Sequence, residues 1–576
     1  MPTDSTLSPP RRRRHAEPLR LLRAAAYAVA GLCLLPILAV TLAGVTGGVE
    51  TLTHLAQTVL PRYAGNTLVL VACVALGTLS IGTGAACFVT MTEFRGRRLF
   101  EILLVVPLAF PAYVLAYAYT HLLDHPGIVQ STLREVMGWG PRDYWFPEIR
   151  SLGGAAAMLV LVLYPYVYLL ARAAFLGQSA STFHAARALG NTPLQAFLKV
   201  TLPMARPAIA AGVLLATMET IADFGTVSYF GVPTFATGIY TSWFSMADRA
   251  AAAQLSLGLL AFALTLAVLE RRSRGEAKYH TGQRVERLTR LRLHGSSEFA
   301  AWALCAVPVL FGAVIPIVAL VIMGQGSGQD LMSRRYLGFI QNSLVLAGTA
   351  ALCTLAAAVV LGFFHRAARR PGARWAIYAG RLGYAVPGGV IAVGLMVPFA
   401  AFDNALDAVM RDWFGVSTGL LFTGSIWVLV FAYMIRFMAA AIGAYEGGQS
   451  AINPNLDAAS RVLGQSSYGT LRRIHLPILT PSLLTALLIV FVDVMKELPA
   501  TLILRPFNFN TLAVQAHRLA SDERLAQAAV PSLVIVAFGL LPVILLCRSI
   551  AQTQQMHVST RAELPLASDT IVEKTA

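Results

Sequence analysis

Long apolar runs, separated by short polar and basic stretches, make up most of this chain. A helix needs about 20 apolar residues to cross a hydrocarbon core. Runs of that order lie at 21–45, 66–92, 99–121, 153–176, 206–230, 252–270, 298–323, 342–365, 377–402, 418–442, 481–505 and 528–548. The pattern predicts an all-α polytopic membrane protein with about twelve transmembrane helices. Composition agrees: 56% of the 576 residues are hydrophobic and 13% are charged, against about 25% charged in soluble domains. That leaves more apolar side chains than one globular core can hide.

The polar gaps are not equivalent. "EFRGRR" (93–98), "RRSRGEAK" (271–278) and "HRAARR" (365–370) alternate with gaps such as 403–417, whose one basic residue is Arg411. Lys and Arg concentrate in cytoplasmic loops, so both termini are expected in the cytoplasm. The net charge of +16 then expresses membrane topology, not a nucleic-acid-binding face. "PRRRRH" (10–15) precedes a run too long for a signal peptide's apolar region, and reads as a basic anchor before the first span. The six cysteines (33, 73, 87, 305, 353, 547) lie in or beside apolar runs without zinc or disulfide spacing, and read as small buried hydrophobes.

Two of the polar stretches are related. "HAARALGNTPLQAFLKVTLP" (184–203) and "AASRVLGQSSYGTLRRIHLP" (458–477) align at an offset of 274. The offset pairs Arg187 with Arg461, Leu189 with Leu463, Gly190 with Gly464, Pro203 with Pro477 and Pro207 with Pro481. Earlier, "NTLVL" (66–70) matches "NSLVL" (342–346), and Pro111 matches Pro387, at an offset of 276. The expected organisation is a basic N-terminus (1–20), a first six-span half (21–270), a basic linker (271–297), a second half (298–548) and a cytoplasmic tail (549–576), polar and disordered after 552. Six spans between equivalent points give the halves the same orientation, hence a pseudo-twofold axis along the membrane normal. Each repeated segment reads as a short helix, a glycine break in the left-handed conformation, a second helix, and Leu-Pro opening the next span. The linker reads as a basic interfacial helix near anionic lipid.

Both segments resemble the EAA loop of bacterial ABC importer permeases: Glu-Ala-Ala, three residues, Gly, nine residues, then Ile-x-Leu-Pro. The first copy carries Ala185, Ala186, Gly190, Val200, Leu202 and Pro203; the second carries Ala459, Gly464, Ile474, Leu476 and Pro477. The family's glutamate is replaced by His184 and Ala458, with Asp457 one position early as a substitute. The resemblance implies a non-catalytic permease whose two loops dock two copies of a separate ABC ATPase subunit. No Gly-x4-Gly-Lys-Ser/Thr phosphate loop is present, and neither a cofactor nor a nucleic-acid partner is expected. "METIADFGTVSYFGVPTFATGIYTSWF" (218–244), "VDVMKELPATLILRPFNFNTLAVQ" (492–515) and "LYPYVYLLARAAF" (163–175) resemble the fused permeases of ferric-iron importers, which implies a periplasmic substrate-binding protein as partner. Fused thiamine and phosphonate permeases share part of this resemblance. A self-contained secondary transporter is the rival class, but it gives no reason for the repeated loop; no nucleophile–base arrangement supports an enzyme.

Candidate cargo residues come from charge at membrane depth, which is costly and marks pathways or partners. Glu219 and Asp223 are spaced for one helical face of the fifth span, and Asp493 and Glu497 fall at the same places in the eleventh. Two readings stand: contact with passing cargo, or pairing with Lys496, Arg505, Arg172 or Arg436. Tyr229 and Tyr240 read as interfacial anchors, with a ligand role as the alternative. His121, His125 and His517 have no metal-ligand spacing, and the metal ligands stay unassigned.

Overall fold

The computed structural model describes residues 17–274, 290–330, 332–368, 371–450 and 452–562. Among these, eleven helices are long and apolar enough to cross a membrane; a twelfth candidate is a pair of segments, Arg97–Ala109 and Ala112–Met137, bent by 93°. In chain order the spans are the first (Glu17–Thr46), second (Leu60–Met91), bent third, fourth (Leu152–Gly177), fifth (Leu202–Ala222) and sixth (Arg249–Arg274). The seventh to twelfth follow: Ser296–Gln325, Arg334–Ala368, Gly388–Phe414, Trp427–Gln449, Leu476–Met495 and Leu525–Ala562. Most of the linker at 271–297 lies outside the described residues. Its end, Leu291–Arg292, pairs in parallel with Thr92–Glu93, after the second span.

Four boundaries differ from the hydropathy reading. The run 99–121 is not one helix: Pro111 is the extended cap (φ −67°, ψ 140°) from which Ala112–Leu123 starts. Pro387 does the same (φ −57°, ψ 146°) for the ninth span, so the run 377–402 is divided between helix Pro371–Leu382 and that span. A proline nitrogen has no hydrogen to donate back into a preceding turn. The tenth span begins at Trp427 rather than 418, because 418–426 hold carboxylate-capped turns instead of a helix: Asp403 accepts from the Phe422 and Thr423 N–H groups. Finally, the chain after 552, expected to be disordered, is helical to Ala562; no glycine or proline interrupts 543–562.

The Leu-Pro pairs also act differently from expectation. They do not open a new helix. Pro193–Ala196 passes through a π-turn, Phe197–Thr201, directly into Leu202–Ala222. Ser467–Thr470 passes through Leu471–His475 into Leu476–Met495 in the same way. Leu202 N–H bonds to the Phe197 carbonyl and Leu476 N–H to the Leu471 carbonyl, each five residues back. The prolines that follow, at 203 and 477, cannot supply the next N–H. One wide turn absorbs the missing donor and the helix continues.

The repeat is visible in hydrogen bonds. The Asn66 side chain donates to the Pro233 carbonyl (2.8 Å), and that of Asn342 to the Asn510 carbonyl (3.1 Å). Next to them, Phe235 N–H reaches Thr67 Oγ1 (3.4 Å) and Leu512 N–H reaches Ser343 Oγ (2.8 Å). The "NTLVL" and "NSLVL" motifs therefore hold the chain that follows the fifth and eleventh spans. The outer spans cross over: the first packs on the eighth and ninth, and the seventh on the second and third. At one crossing the backbone leaves no room for a side chain. A Cβ on Gly394 would lie 2.5 Å from the Pro36 carbonyl oxygen and 2.7 Å from Pro36 Cα.

Gly394→Val should lower the thermal unfolding midpoint of the purified protein, by overpacking worth about 1–3 kcal/mol. Gly348→Val, in the eighth span with nothing within 4 Å of its Cβ, should leave the midpoint nearly unchanged. Equal midpoints for the two variants would contradict the tight crossing.

Candidate functional site

The fifth span stops at Ala222, where Asp223 turns extended (ψ 127°). After Phe224 a short helix, Gly225–Tyr229, begins with N–H groups that no preceding turn can satisfy. Asp223 satisfies them: its Oδ1 accepts from Thr226 N (3.1 Å) and Val227 N (3.2 Å), and its Oδ2 from Thr226 Oγ1 (3.0 Å). The eleventh span ends at Met495 and the next short helix is Pro499–Leu504. Here Glu497 Oε1 accepts from Ala500 N (2.9 Å), and Oε2 from Thr501 N (3.2 Å) and Thr501 Oγ1 (3.0 Å). The donors 226 and 227 recur as 500 and 501, at the offset of the repeat. Asp223 and Glu497 therefore sit at helix breaks, not on the continuous helical faces that their spacing suggested.

The other two acids remain on their spans and face a cavity of about 530 Å³. Glu219, Asp223, Asp493 and Glu497 all line it, with Tyr113, Tyr166, Arg436 and Lys496. The structure thus brings together the four carboxylates picked out by charge. It also shows which cations meet them. Lys496 Nζ is 2.9 Å from Asp493. Arg436 lies 3.8 Å from Glu219 and 3.6 Å from Glu497. Arg172 and Arg505 do not take part: Arg172 pairs with Glu101 and Arg505 donates to Asn510. Two cations against four carboxylates leave the cavity acidic. Tyr113 donates to the Lys496 carbonyl (3.2 Å), tying the third span to the eleventh-span break.

Tyr229 and Tyr240 are both buried in the bundle. Tyr240 stacks on Phe224 at 3.7 Å, and Tyr229 meets Tyr117 edge-on at 4.7 Å. His517 Nδ1 pairs with the Tyr117 hydroxyl at 3.1 Å. His125 makes only a 3.4 Å contact with the Pro141 carbonyl through its ring.

At the far end of the fifth and eleventh spans lie the two repeated segments. Gly190 (φ +89°) and Gly464 (φ +75°) hold the left-handed break in each. Ala185 and Ala459 are exposed, whereas Ala186 and its partner position Ser460 are buried. Leu202, Pro203 and Leu476 are half-buried and Pro477 is exposed. Two equivalent leucines, Leu189 (84% exposed) and Leu463 (78%), stand out here, with Val462 (86%) beside the second. The repeat matched the two leucines in the sequence, but only the structure shows that both stand clear of the bundle.

Anchoring of the two segments differs. In the first, Phe183 packs with Met91, Ala186 and Ala196. In the second the equivalent residue is Asp457, bound to Arg366 Nε (2.7 Å) and His475 Nε2 (2.7 Å). Asp457 is thus held by bonds within its own chain. Burial opposes its ionisation, but hydrogen bonds from His475 and Arg366 outweigh burial and hold its carboxyl below the ordinary range.

Residues 78–271 match the family of binding-protein-dependent transport system inner membrane components. The Fe(3+)-transport system permease protein of Haemophilus influenzae is 27% identical over 521 residues, covering 88% of this chain and 94% of its own length. The ferric transport system permease protein of Actinobacillus pleuropneumoniae is 24% identical, covering 78% of this chain and 65% of its own length. The molybdate/tungstate transport system permease protein of Pyrococcus abyssi is 26% identical, over 37% of this chain and 78% of its own length. Residues 78–271 thus match the binding-protein-dependent transport inner membrane components, within a multi-pass chain that is similar to ferric transport permeases over most of its length.

Proposed function

We propose that this permease carries ferric iron, delivered by a periplasmic binding protein, across the inner membrane. The observation that carries this reading is the acidic cavity between the fifth- and eleventh-span breaks, lined by four carboxylates and two cations. Such a lining favours a cation in a low-dielectric passage and disfavours an oxyanion such as molybdate. The near full-length similarity to an Fe(3+)-transport permease supports the same cargo; thiamine, also a cation, is the alternative.

Both termini lie in the cytoplasm, and the segments around Gly190 and Gly464 each dock one ATPase subunit, two per permease. Leu189 and Leu463 are the apolar knobs offered to them. Transmission follows from the continuous helix. Pro193–Ala222 is one 30-residue rod, about 45 Å long. A push at the loop is therefore delivered to Glu219 and the capped break. Ser467–Met495 is the matching lever. The segments 231–251 and 506–527, which contain the helices Phe235–Tyr240 and Leu512–Ser521, follow the two breaks, and their exposed residues form the docking surface for the binding protein.

Glu219→Gln should slow labelled ferric iron uptake about tenfold, the ratio given by ~1.4 kcal/mol of lost charge stabilisation, with normal yield of the assembled complex. A purely structural Glu219 would instead show as low complex yield. Thiamine uptake without iron uptake in cells lacking other importers would replace the cargo.

Gly464→Val meets open space, with nothing within 4 Å of the new Cβ. Its cost is the left-handed backbone alone, about 1 kcal/mol or more. The expected result is less cargo moved per ATP hydrolysed, with the ATPase still bound; unchanged coupling would remove the glycine from this role.

Asp457→Asn should loosen the second loop. A depressed carboxyl contributes stability above its unfolded pKa of about 3.9 and loses it as pH falls through the lower folded value. At neutral pH the variant therefore mimics the acid-released loop. Hydrogen exchange over 454–463 should show local opening easier by about 1–3 kcal/mol, while Phe183→Leu leaves that segment unchanged.

A further inference from the structure

At the end of the bundle opposite the repeated loops, a second cavity of about 480 Å³ lies among turns from both halves. Arg150 stands in its wall, just before the fourth span. Its Nη1 and Nη2 donate to the two carboxylate oxygens of Glu523, at 2.6 and 2.8 Å. Its Nε donates to Asp124 at 3.0 Å. Asp124 closes the helix Ala112–Leu123 of the third span, whereas Glu523 lies in the turn before the twelfth. The fork therefore ties the two halves together. The Glu523 hydrogen bond and charge raise the Arg150 pKa further above its ordinary value, and the same bond holds the Glu523 carboxyl below its own.

Three features make this more than a surface ion pair. First, Glu523 adopts φ +59°, a conformation that non-glycine residues avoid. The matching turn of the first half puts Ala247 at φ +52°, so the turn is shared but the carboxylate occurs on one side only. Second, Arg150 has two acidic partners on different halves. Releasing Glu523 leaves the guanidinium on Asp124, so opening does not strand a charge. Third, Arg150 lies over the Tyr229 ring, 5.2 Å from its centroid. Tyr229 ends the short helix that Asp223 caps at the central cavity. Movement at one is carried to the other through five residues of helix.

We propose that Arg150 is the positioning residue of the outer gate: it latches the two halves shut through Glu523, and cargo passes only when Glu523 lets go. The proposal rests on the cytoplasmic placement of the repeated loops given above. It does not depend on which cargo is carried.

The test uses the permease–ATPase complex in membranes, with a reporter, Ala222→Cys, on the wall of the central cavity and the native cysteines replaced. A membrane-impermeant thiol reagent is applied from the outer face. Arg150→Gln and Glu523→Gln should each speed labelling about fivefold, the scale of one partly exposed ion pair. The double variant should be no faster than the faster single, because both remove one interaction. Arg150→Lys, which keeps the charge and loses the fork, should fall between. Unchanged labelling in both single variants of an intact complex overturns the latch, as does a double variant whose effects multiply. A Leu463→Cys reporter separates the failures. If the outside reagent labels it, the orientation and the latch both fall; if it stays unlabelled while Ala222→Cys rates do not change, only the latch falls.

Discussion

A backbone N–H group exposed at membrane depth has no water to bond, so any break in a span must bring its own acceptor. Asp223 and Glu497 are those acceptors. Each takes two backbone N–H groups of the short helix that follows it. Without them the fifth and eleventh spans could not stop where they do, and the central cavity would have no walls at the breaks. The acids that define the site electrostatically are therefore also what allows the backbone to form it. This separates the four carboxylates into two kinds. Asp223 and Glu497 accept from backbone, Glu497 pairing with Arg436 as well, while Glu219 and Asp493 meet side-chain cations on the cavity wall.

The two halves share a backbone plan and differ in what they attach to it. The breaks, the Asn66 and Asn342 bonds, the π-turns and the left-handed glycines recur at nearly constant offset. The acids of the cavity recur but its cations do not. Arg436 and Lys496 both come from the second half, where the matching positions 162 and 222 hold Val162 and Ala222. The second loop is held by Asp457, Arg366 and His475, the first by an apolar plug around Phe183. Glu523 faces Arg150 on one side only. A fused chain can specialise in this way because a change in one half is not copied into the other, as it would be in a symmetric dimer.

Much of this was legible along the chain. Hydropathy and length determined the number of spans, because lipid thickness imposes a length that sequence can meet or miss. The offset of 274 to 276 determined the internal repeat and picked out the loops, the paired prolines and the four acids. Only the tertiary structure decided where helices stop, because a proline can end a helix, as at 111 and 387, or be absorbed by a π-turn, as at 203 and 477, and neighbouring donors and acceptors choose between these outcomes. It alone decided that Arg436 rather than Arg172 serves the cavity, and that Asp457 pairs with His475. Ion pairs join residues hundreds of positions apart, as Arg150 and Glu523 do. Their distance depends on how the spans pack, and no periodicity along the chain records it.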